Sequence, residues 1–575
     1  MTQYSSRWRS AFLIACAGSL AVNANAAPGD CVTIAAPLHK TGGYKPYKVN
    51  SASVSGSGWI AAQVGVDGFV TAAIAAADQW NDNSHGATFR WTGYTSSLDL
   101  PDLKTDCDAL GITHSIIKVF PDAAGGVNPL AGVIGRCRDT SNRATQFVLT
   151  VYGLTCPGGV CQNYQHVVGD LAAYMGYPGG VFDLVGVLTH EFGHVLNLGH
   201  TGSAEYAVMN AGVLPNNSYN RDLYQWDAKC VDQLAGFRNL REYHYPITSA
   251  GIGTLTGVSA AAPIGNVGPV WSSSLGMRIQ ARMTTCQAKS DGLAAGSLVS
   301  CILGFDSVIG AHASNITRTA SPLVFGWPDY AERLFVPDWQ EDVPYSILTS
   351  HRKVRQYKSI NGFATVTASY LNVCTNPTFS CPSTAVPLAA TEEVGFAQET
   401  VTGQTVIAFA QQWRAAENDP SKRALRIAVG MANDSTLYYP GSSSGEKTSV
   451  GPAVACKPTT NECLVAFVRE QQPTFRVAVK AFTVNPSTLQ ASYGATTQLP
   501  STVRSAARLA LFYTNGQWFL ALRSAYQQGQ YLEIYSSTNG TTWTNVSPTP
   551  LLYTAVGPAV LGWRSGTTNA LTIAY

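Results

Sequence analysis

The segment HEFGHVLNLGH, residues 190–200, constrains the fold of this chain more than any other part of its sequence. Residues four apart lie on the same face of an α-helix, so His190 and His194 can direct two imidazole rings to one point. His200 lies six positions beyond His194, too far along to continue on that face. The spacing therefore predicts a helix that ends after His194 and a turn that brings His200 back beside the other two histidines.

The residue types in this segment predict a catalytic zinc site. Three neutral imidazoles leave the fourth tetrahedral position open to water, which is the arrangement of catalytic rather than structural Zn²⁺. Glu191 follows the first histidine and projects beside the metal, where its carboxylate can hold that water and act as general base. We expect one Zn²⁺ bound by His190, His194 and His200, with Glu191 as the catalytic residue.

The turn before His200 contains Asn197. A helix that ends here needs a residue with positive φ, a conformation that favours glycine. Asparagine is the residue that best tolerates this conformation after glycine, at a cost of about 1 kcal/mol. The sequence therefore predicts a left-handed backbone at Asn197.

The chain around this segment predicts a mixed α/β (α+β) domain over residues 27–245. Helical patterns cover 68–84, 182–199 and 224–236, and Asp183 stands at the N-cap position of the second. The segments ATFRWTGY, HSIIKVF and RATQFVLTVYG are rich in β-branched and aromatic residues, as strands are. A chain of 575 residues is too long for one such domain alone.

The remainder, residues 250–575, predicts an all-β domain. Helical periodicity gives way to short apolar runs separated by Gly, Pro, Ser and Asn. VGPAV occurs at Val450 and again at Val556, 106 residues apart, with a similar apolar hairpin pattern midway between them. About 53 residues per unit suits a four-stranded propeller blade, so we expect a β-propeller of six or seven blades. One or two β-sandwich modules remain the alternative.

The N-terminus and the cysteines indicate export. Residues 1–26 have the basic start, short apolar run and small ANA ending of a signal peptide, although Cys16 leaves a lipoprotein signal as an alternative. Removing Cys16 leaves twelve cysteines, six on either side of residue 250, which predicts disulfides within each half. The natural sequence-close pairs are 156–161, 286–301, 374–381 and 456–463. We expect a secreted or extracellular protein, with periplasmic and cell-surface locations open.

Charge and hydropathy exclude several partner classes. Charged residues make up 13% of the chain and the net charge is +2, which offers no extended basic surface for nucleic acid. No apolar run of about 18 residues occurs after the N-terminal one, so no transmembrane anchor is expected.

The histidine segment resembles the metzincin metallopeptidases, whose motif is H-E-x-x-H-x-x-G-x-x-H followed by a Met-turn. It matches every fixed position except the glycine, and SAEYAVMN supplies Met209 as the Met-turn residue. HEFGH, the segment QWND and the later RDLYQWDAKCVDQL are most similar to the matrixin branch. FPDAAGGVNPLAG resembles the calcium-binding loop of that branch, which makes Asp122 a candidate Ca²⁺ ligand. The resemblance also implies that the residues after Met209 form part of the S1′ wall.

The second half carries its own resemblance. SSTNGTTW, residues 536–543, resembles the Asp-box turn of sialidase-type propellers, with Thr538 in the place of the aspartate. The arginine cluster that a sialidase needs to bind a carboxylate is not legible in the sequence.

Taken together, the sequence predicts a secreted zinc-dependent metalloendopeptidase that hydrolyses peptide bonds in protein or peptide substrates. The propeller is expected to serve targeting or substrate docking, with a surface glycan or matrix protein as its partner. Two alternatives stay open. In one, the zinc domain is degenerate and the protein is a secreted adhesin or glycan-binding protein. In the other, the propeller carries glycan-directed chemistry.

Overall fold

The computed structural model describes residues 43–83, 87–120, 129–156, 160–174, 180–200 and 207–210, with isolated positions between 177 and 230. Beyond these it describes strands between 239 and 574, and side chains in stretches between 394 and 553. The chain divides into two compact units near residue 236. The signal segment 1–26 and Asp122 lie outside the described residues, as do residues 211–214 and 216–219 of the predicted S1′ wall.

The first unit combines nine described strands with five helices. The strands are β1 (Gly43–Val49), β2 (Ala87–Tyr94), β3 (Ser115–Phe120), β4 (Ala131–Arg138), β5 (Ala144–Tyr152), β6 (Leu154–Thr155), β7 (Gln162–Asn163), β8 (His166–Val167) and β9 (Phe182–Asp183). The helices are α1 (Ser51–Ser55), α2 (Trp59–Gln63), α3 (Gly65–Asn83), α4 (Lys104–Ala109) and α5 (Leu184–Val195). A 3-10 turn covers Leu171–Tyr174.

Five of these strands form the main sheet, in the order β2-β1-β3-β5-β4. Strands β1, β2, β3 and β5 pair in parallel, and β4 runs antiparallel to β5 at the edge. The three predicted strands are confirmed as β2, β3 and β5. Strands β1 and β4 are additions to the prediction, because GYKPYKV contains a proline and AGVIGRCR two glycines, which weaken a strand pattern.

Aromatic packing joins the sheet to α5. The ring of Phe192 lies 4.6 Å from that of Phe89, 5.6 Å from that of Tyr47 and 6.1 Å from that of Phe147. Every residue of α5 is buried. The helix that carries the histidine segment is therefore at the centre of this unit's core, where its position is fixed by contacts along its whole length.

The predicted N-cap of α5 is in place, but its side chain has another partner. Asp183 is the N-cap residue and its side chain caps no helical N–H group. Its Oδ2 instead accepts a hydrogen bond of 2.6 Å from the guanidinium of Arg221, which also donates to the carbonyl of Gly169. Both side chains are buried. Leaving a buried charge unpaired costs more free energy than leaving a helix end uncapped. The Asp183 carboxylate therefore pairs with Arg221 instead of capping α5.

The described strands of the second unit form six sheets of four or more strands. The first four sheets comprise β15 (Val267–Ser272), β16 (Met277–Gln287), β17 (Leu298–Gly304), β18 (Ser307–Ala311); β19 (Leu323–Trp327), β20 (Tyr330–Gln340), β21 (His351–Ser359), β22 (Thr367–Tyr370); β23 (Asn372–Cys374), β24 (Val386–Pro387), β25 (Gly395–Glu399), β26 (Gln404–Ala410), β27 (Leu425–Gly430), β28 (Thr436–Tyr438); and β29 (Ala453–Cys456), β30 (Glu462–Val468), β31 (Val477–Val484), β32 (Ala491–Gln498).

The other two sheets comprise β33 (Ala510–Thr514), β34 (Gln517–Arg523), β35 (Leu532–Ser537), β36 (Thr544–Asn545); and β11 (Glu242–Thr248), β12 (Gly251–Ile252), β13 (Gly257–Val258), β37 (Ala559–Ser565), β38 (Thr568–Ala574). A separate pair joins β10 (Asn239–Leu240) to β14 (Ala262–Pro263).

The six sheets are arranged in a closed succession. The strands β15, β19, β25, β29, β33 and β37 each neighbour the next in this order, and β37 neighbours β15. Strand β11 pairs with β38, so a segment from the start of this unit completes the sheet that also contains β37. Sheets related in this way around a ring resemble a β-propeller. Residues 242–248 belong to this arrangement although most of them fall in the range predicted for the first domain.

The Asp-box-like turn joins β35 to β36. Asn539 Oδ1 accepts hydrogen bonds from the backbone N–H groups of Thr541 and Thr542, both at 2.9 Å. The indole N–H of Trp543 donates to the carbonyl of Gly540 at 3.2 Å. Asn539, rather than the residue in the aspartate position of the motif, therefore supplies the acceptor that closes the turn.

Three disulfides occur among the described residues: Cys107–Cys137, Cys156–Cys161 and Cys456–Cys463. The predicted pairs 156–161 and 456–463 are confirmed, whereas the side chains of 286, 301, 374 and 381 lie outside the described part. Cys107–Cys137 joins α4 to β4 and is separated by 30 positions, too many for a guess from sequence proximity. Disulfides are typical of exported proteins. No described helix is long and apolar enough to cross a membrane.

Candidate metal centre

The three predicted ligands converge on one point. His200 Nε2 lies 3.1 Å from His190 Nε2 and 3.1 Å from His194 Nε2. One ligand atom from each residue lies within 4.8 Å of the other two. Bonds of 2.0–2.1 Å to a tetrahedral Zn²⁺ place two nitrogens ~3.3 Å apart, which is close to these separations. The cluster can hold a metal ion such as zinc.

Hydrogen bonds fix the orientation of two of the rings. His190 Nδ1 lies 2.7 Å from the carbonyl oxygen of Val208, and His194 Nδ1 lies 2.8 Å from that of Leu198. A carbonyl accepts, so each Nδ1 carries the proton and each Nε2 presents a lone pair to the shared point. His200 Nε2 carries at most one proton, so it can donate a hydrogen bond to the lone pair of only one of the other two Nε2 atoms. A cation at that point satisfies all three.

Burial keeps these histidines neutral. It lowers the pKa of His190 well below its usual value, and the neighbouring His194 and His200 lower it further. Burial also lowers the pKa of His194 to about 4 and lowers that of His200. A metal ligand must be unprotonated, so the site is prepared for a metal at neutral pH before one binds.

The turn that returns His200 has the predicted conformation. Asn197 has φ of 67°, which confirms the left-handed backbone. Its N–H donates to the carbonyl of His194 at 2.9 Å, and the N–H of Leu198 donates to that of Gly193 at 3.1 Å. These two bonds make a Schellman motif, which ends the helix and redirects the chain. His200 reaches the site because of this reversal.

Glu191 follows His190 in α5, and its side chain lies in a dry environment. It is buried, and burial raises the pKa of its carboxyl to about 8 in the metal-free protein. Its Oε2 is buried with no hydrogen-bond partner among the described atoms. Leaving such an oxygen unpaired costs about 1–3 kcal/mol.

Met209, the predicted Met-turn residue, packs against α5 at Gly193. Gly193 packs so closely on it that a Cβ at position 193 would lie 2.2 Å from Met209 Sδ and 2.8 Å from Trp80 Cζ2. Met209 is fully buried. The backbone of the same turn accepts from His190 through the Val208 carbonyl. The turn therefore supports both the helix and one metal ligand.

Two residues that the sequence reasoning left without a role hold this arrangement in place. Asp227 accepts hydrogen bonds from the backbone N–H groups of Val208 at 2.8 Å and Met209 at 3.3 Å. Trp80 of α3 donates from its indole to the carbonyl of Thr189 at 2.7 Å. Asp227 lies in YQWDAK and is fully buried, which no local pattern distinguishes from an exposed helical aspartate.

The remaining described histidines stay apart from the cluster. His166 is fully buried in β8, and its Nε2 lies 3.0 Å from the carbonyl oxygen of Tyr152. Burial lowers its pKa to about 4. His114 is partly exposed, and burial lowers its pKa as well. Neither belongs to the described group of metal-ligating side chains, which consists of His190, His194 and His200.

No protein-family model matches the sequence, and no curated protein matches it. Solved structures similar to this chain include a sialidase and other glycoside hydrolases. A sialidase from Trypanosoma rangeli is 10% identical, with 57% of this chain and 56% of that chain covered and a TM-score of 0.31. An α-L-arabinofuranosidase from Fusarium graminearum is 12% identical, with 54% and 92% covered and a TM-score of 0.35.

A glycosyl hydrolase from Bacteroides ovatus is 9% identical, with 49% and 87% covered and a TM-score of 0.27. This chain thus spans just over half the length of the sialidase. TM-scores of 0.27 to 0.35 indicate only a loose likeness. The ring arrangement of the second unit is seen in its own strand order.

Proposed function

We propose that the first unit is a zinc-dependent metalloendopeptidase of the metzincin type, most similar to the matrixins. The observation that carries the proposal is the convergence of three imidazole nitrogens, with a buried carboxylate oxygen that lacks a hydrogen-bond partner on the residue after His190. The sequence resemblance to the H-E-x-x-H-x-x-G-x-x-H motif supports it, and so does a methionine in contact with the helix.

In this proposal the chain's residues divide the chemistry of peptide hydrolysis. His190, His194 and His200 would hold Zn²⁺, which supplies Lewis-acid polarisation of the scissile carbonyl. Glu191 Oε2 takes a proton from the attacking water and delivers it to the departing amine nitrogen. The buried surroundings of Glu191 raise the proton affinity of its carboxylate, as a general base near neutral pH needs.

The edge of the main sheet offers a place for an extended substrate. Strand β4 ends the sheet order, and residues 101–103 cover only its far end, at Cys137 and Arg138. The rest of its outer edge has no described partner strand, and Ile134 on it is 50% exposed. A peptide can add to such an edge through main-chain hydrogen bonds, so we propose that protein substrates bind along β4.

The second unit is proposed as a docking module, a β-propeller of six blades by its sheet count. Its proposed partner is a surface glycan or matrix protein, and the chain is proposed to be secreted through residues 1–26. A calcium-ligand role for Asp122 remains a proposal. The competing function is that of a secreted adhesin or glycan-binding protein whose zinc domain is inactive.

A comparison of three proteins tests the peptidase assignment. We expect the wild type to bind close to one Zn²⁺ per chain and to cleave unfolded casein. Glu191→Gln removes the proton acceptor and keeps all three ligands, so it should bind zinc normally and cleave at least 100-fold more slowly. Glu462→Gln, an exposed glutamate in the second unit, is the matched control and should cleave as the wild type does.

The outcomes separate the two functions. If Glu191→Gln cleaves casein at the wild-type rate, the catalytic assignment is wrong. If the wild type binds one Zn²⁺ per chain but cleaves no unfolded substrate, the peptidase proposal is replaced by the adhesin or glycan-binding function with an inactive zinc domain.

A further inference from the structure

Three aromatic side chains meet at the surface of the first unit. Trp59 begins α2, Tyr174 ends the 3-10 turn, and Tyr177 follows Tyr174 by three positions. The centroid of the Tyr177 ring lies 5.3 Å from that of Trp59 and 5.8 Å from that of Tyr174. Tyr177 is 39% exposed, and the other two side chains are partly exposed. We name these three residues the aromatic trio.

The rings of the aromatic trio are held in place by contacts within the unit. The indole N–H of Trp59 donates a hydrogen bond of 2.8 Å to the carbonyl of His166. The backbone N–H of Tyr177 donates to the carbonyl of Tyr174 at 3.1 Å. Trp59 and Tyr174 also pack against a buried apolar cluster of Val167, Leu171 and Val181. Side chains that are already ordered lose little entropy when a partner binds.

The hydroxyls of the two tyrosines are available to a partner. Among the described residues, neither the Tyr174 nor the Tyr177 hydroxyl has a hydrogen-bond partner. A phenolic hydroxyl can donate one hydrogen bond, and its ring offers an apolar surface. The aromatic trio therefore combines apolar rings with two unused hydrogen-bond donors.

The tilt of the rings makes a notched surface instead of a flat one. The ring planes of Trp59 and Tyr177 meet at 83°, and those of Tyr177 and Tyr174 at 36°. A sugar stacks on a flat aromatic face, whereas a proline ring fits into a groove between aromatic rings. A polyproline II helix rises ~9 Å per turn. Rings spaced by 5.3 and 5.8 Å cover about one such turn.

The backbone of a proline-rich segment matches the unused donors. A polyproline II helix has no internal hydrogen bonds, so its carbonyl oxygens remain open to a partner. Proline has no backbone N–H group, so such a segment presents acceptors in excess of donors. The hydroxyls of Tyr174 and Tyr177 can donate to these carbonyl oxygens.

The electrostatic surroundings of the aromatic trio favour a neutral or basic partner over an anionic one. Burial, the neighbouring Tyr177 and the negative charge of Asp170 raise the pKa of Tyr174, in that order of size. The Asp170 carboxylate thus acts on the position that a partner would occupy. A negative charge there repels an anionic lipid surface or an acidic saccharide and attracts a cationic side chain.

We propose that the aromatic trio binds a proline-rich protein segment in the polyproline II conformation, with a basic residue next to the prolines. Proline rings pack on either side of the Tyr177 ring, and the two hydroxyls donate to backbone carbonyls of the segment. The basic residue lies toward Asp170. A protein with such a segment would be held on the unit that carries the histidine cluster. The site does not rest on the peptidase assignment.

Calorimetric titration of the full-length protein with five probes tests the proposal. The first probe is a capped octapeptide of L-prolines ending in lysine. The second has the same composition in D-amino acids and forms a helix of opposite hand, and the third ends in glutamate. The fourth is a Gly-Ser octapeptide ending in lysine, and the fifth is cellohexaose, a neutral saccharide. We expect the first to bind, the glutamate peptide to bind at least threefold more weakly, and the other three at least tenfold more weakly.

Variants of one residue assign the binding to the aromatic trio. Tyr177→Ala should weaken binding of the first peptide at least tenfold, because it removes the central ring. Tyr177→Phe keeps the ring and loses one donor, so its affinity should lie between those of the wild type and Tyr177→Ala. Tyr94→Ala, at a tyrosine of the same unit that is 46% exposed, is the matched control and should bind as the wild type does.

Several results would overturn the proposal. These are failure of the first peptide to bind, equal binding of the D-proline, Gly-Ser or glutamate peptide, and tighter binding of cellohexaose. The proposal is also overturned if Tyr177→Ala melts like the wild type and binds the first peptide with unchanged affinity. If Tyr177→Ala does not fold, unchanged affinity in Tyr177→Phe overturns it instead.

Discussion

The carboxylate of Asp227 accepts a 2.8 Å hydrogen bond from the backbone N–H of Val208, the residue whose carbonyl holds the His190 ring. One peptide segment thus connects a buried acid to a metal ligand. The residues that orient a ligand affect metal affinity nearly as much as the ligand itself.

We expect Asp227→Ala to lower zinc affinity 10- to 100-fold, because Val208 loses its anchor and the His190 ring loses its fixed orientation. Asp227→Asn keeps one acceptor oxygen and should fall between the wild type and Asp227→Ala. Zinc affinity is measured by competition with a chromophoric chelator. Asp106→Asn, at an exposed helical position, is the control. Equal affinity in Asp227→Ala and the control would show that this anchor does not act on the metal ligand.

The turn at Asn197 allows a direct measurement of backbone strain. Asn197→Gly and Asn197→Ala both remove the amide side chain, but only alanine is strained at a φ of 67°. We expect the alanine variant to be less stable than the glycine variant by about 1 kcal/mol, measured by urea unfolding of the zinc-free protein. The alanine variant should also bind zinc more weakly, since His200 follows the turn. If the two variants are equally stable, the left-handed conformation is not retained at this position.

Close packing at Gly193 predicts an intolerant position. Gly193→Ala puts a methyl group 2.2 Å from Met209 Sδ and 2.8 Å from Trp80 Cζ2, so the neighbours must shift. We expect a loss of about 1–3 kcal/mol in the free energy of unfolding, the usual cost of overpacking. A double-mutant cycle with Met209→Leu should give a coupling energy that departs from zero, because the two positions share one space. Strict additivity would contradict the contact.

The buried His166 predicts a pH dependence of stability. Burial lowers its folded pKa to about 4 from a usual value of 6.5. The unfolded chain therefore binds more protons than the folded one between pH 4 and 6.5. Stability from this group is fully present above pH 6.5 and is lost as the pH falls through that window. The loss between pH 7.5 and 4.5 should be about 2–3 kcal/mol.

The measurement compares urea unfolding of the zinc-free wild type and His166→Gln at both pH values. Between pH 7.5 and 4.5, the free energy of unfolding of His166→Gln should fall by about 2–3 kcal/mol less than that of the wild type. NMR titration of the His166 ring in the wild type should give a midpoint near 4. A midpoint near 6.5 would mean that the ring is not shielded from water.

The metal cluster could be predicted from sequence because its information is local. Helical periodicity places His190 and His194 on one face, and the tolerance of asparagine for positive φ allows the return of His200. The same holds for the two short-range disulfides and for the strands with alternating β-branched residues.

The supporting contacts could not be predicted because they join distant segments. Trp80 and Thr189 are 109 positions apart, and Asp183 and Arg221 are 38 apart. Asp183 is an example: its sequence position predicts a helix cap, but its side chain forms an ion pair with the distant Arg221.

The pairing of β11 with β38 limits the order in which the two units can fold during synthesis. Synthesis proceeds at roughly 5–20 residues per second, so β11 leaves the ribosome tens of seconds before its partner exists. The zinc-binding unit can fold during that interval, whereas the last sheet of the ring cannot close until residue 574 has emerged. A nascent chain interrupted before β38 would therefore carry a completed metal centre joined to an open ring with an unpaired strand edge, which is the kind of surface that aggregates.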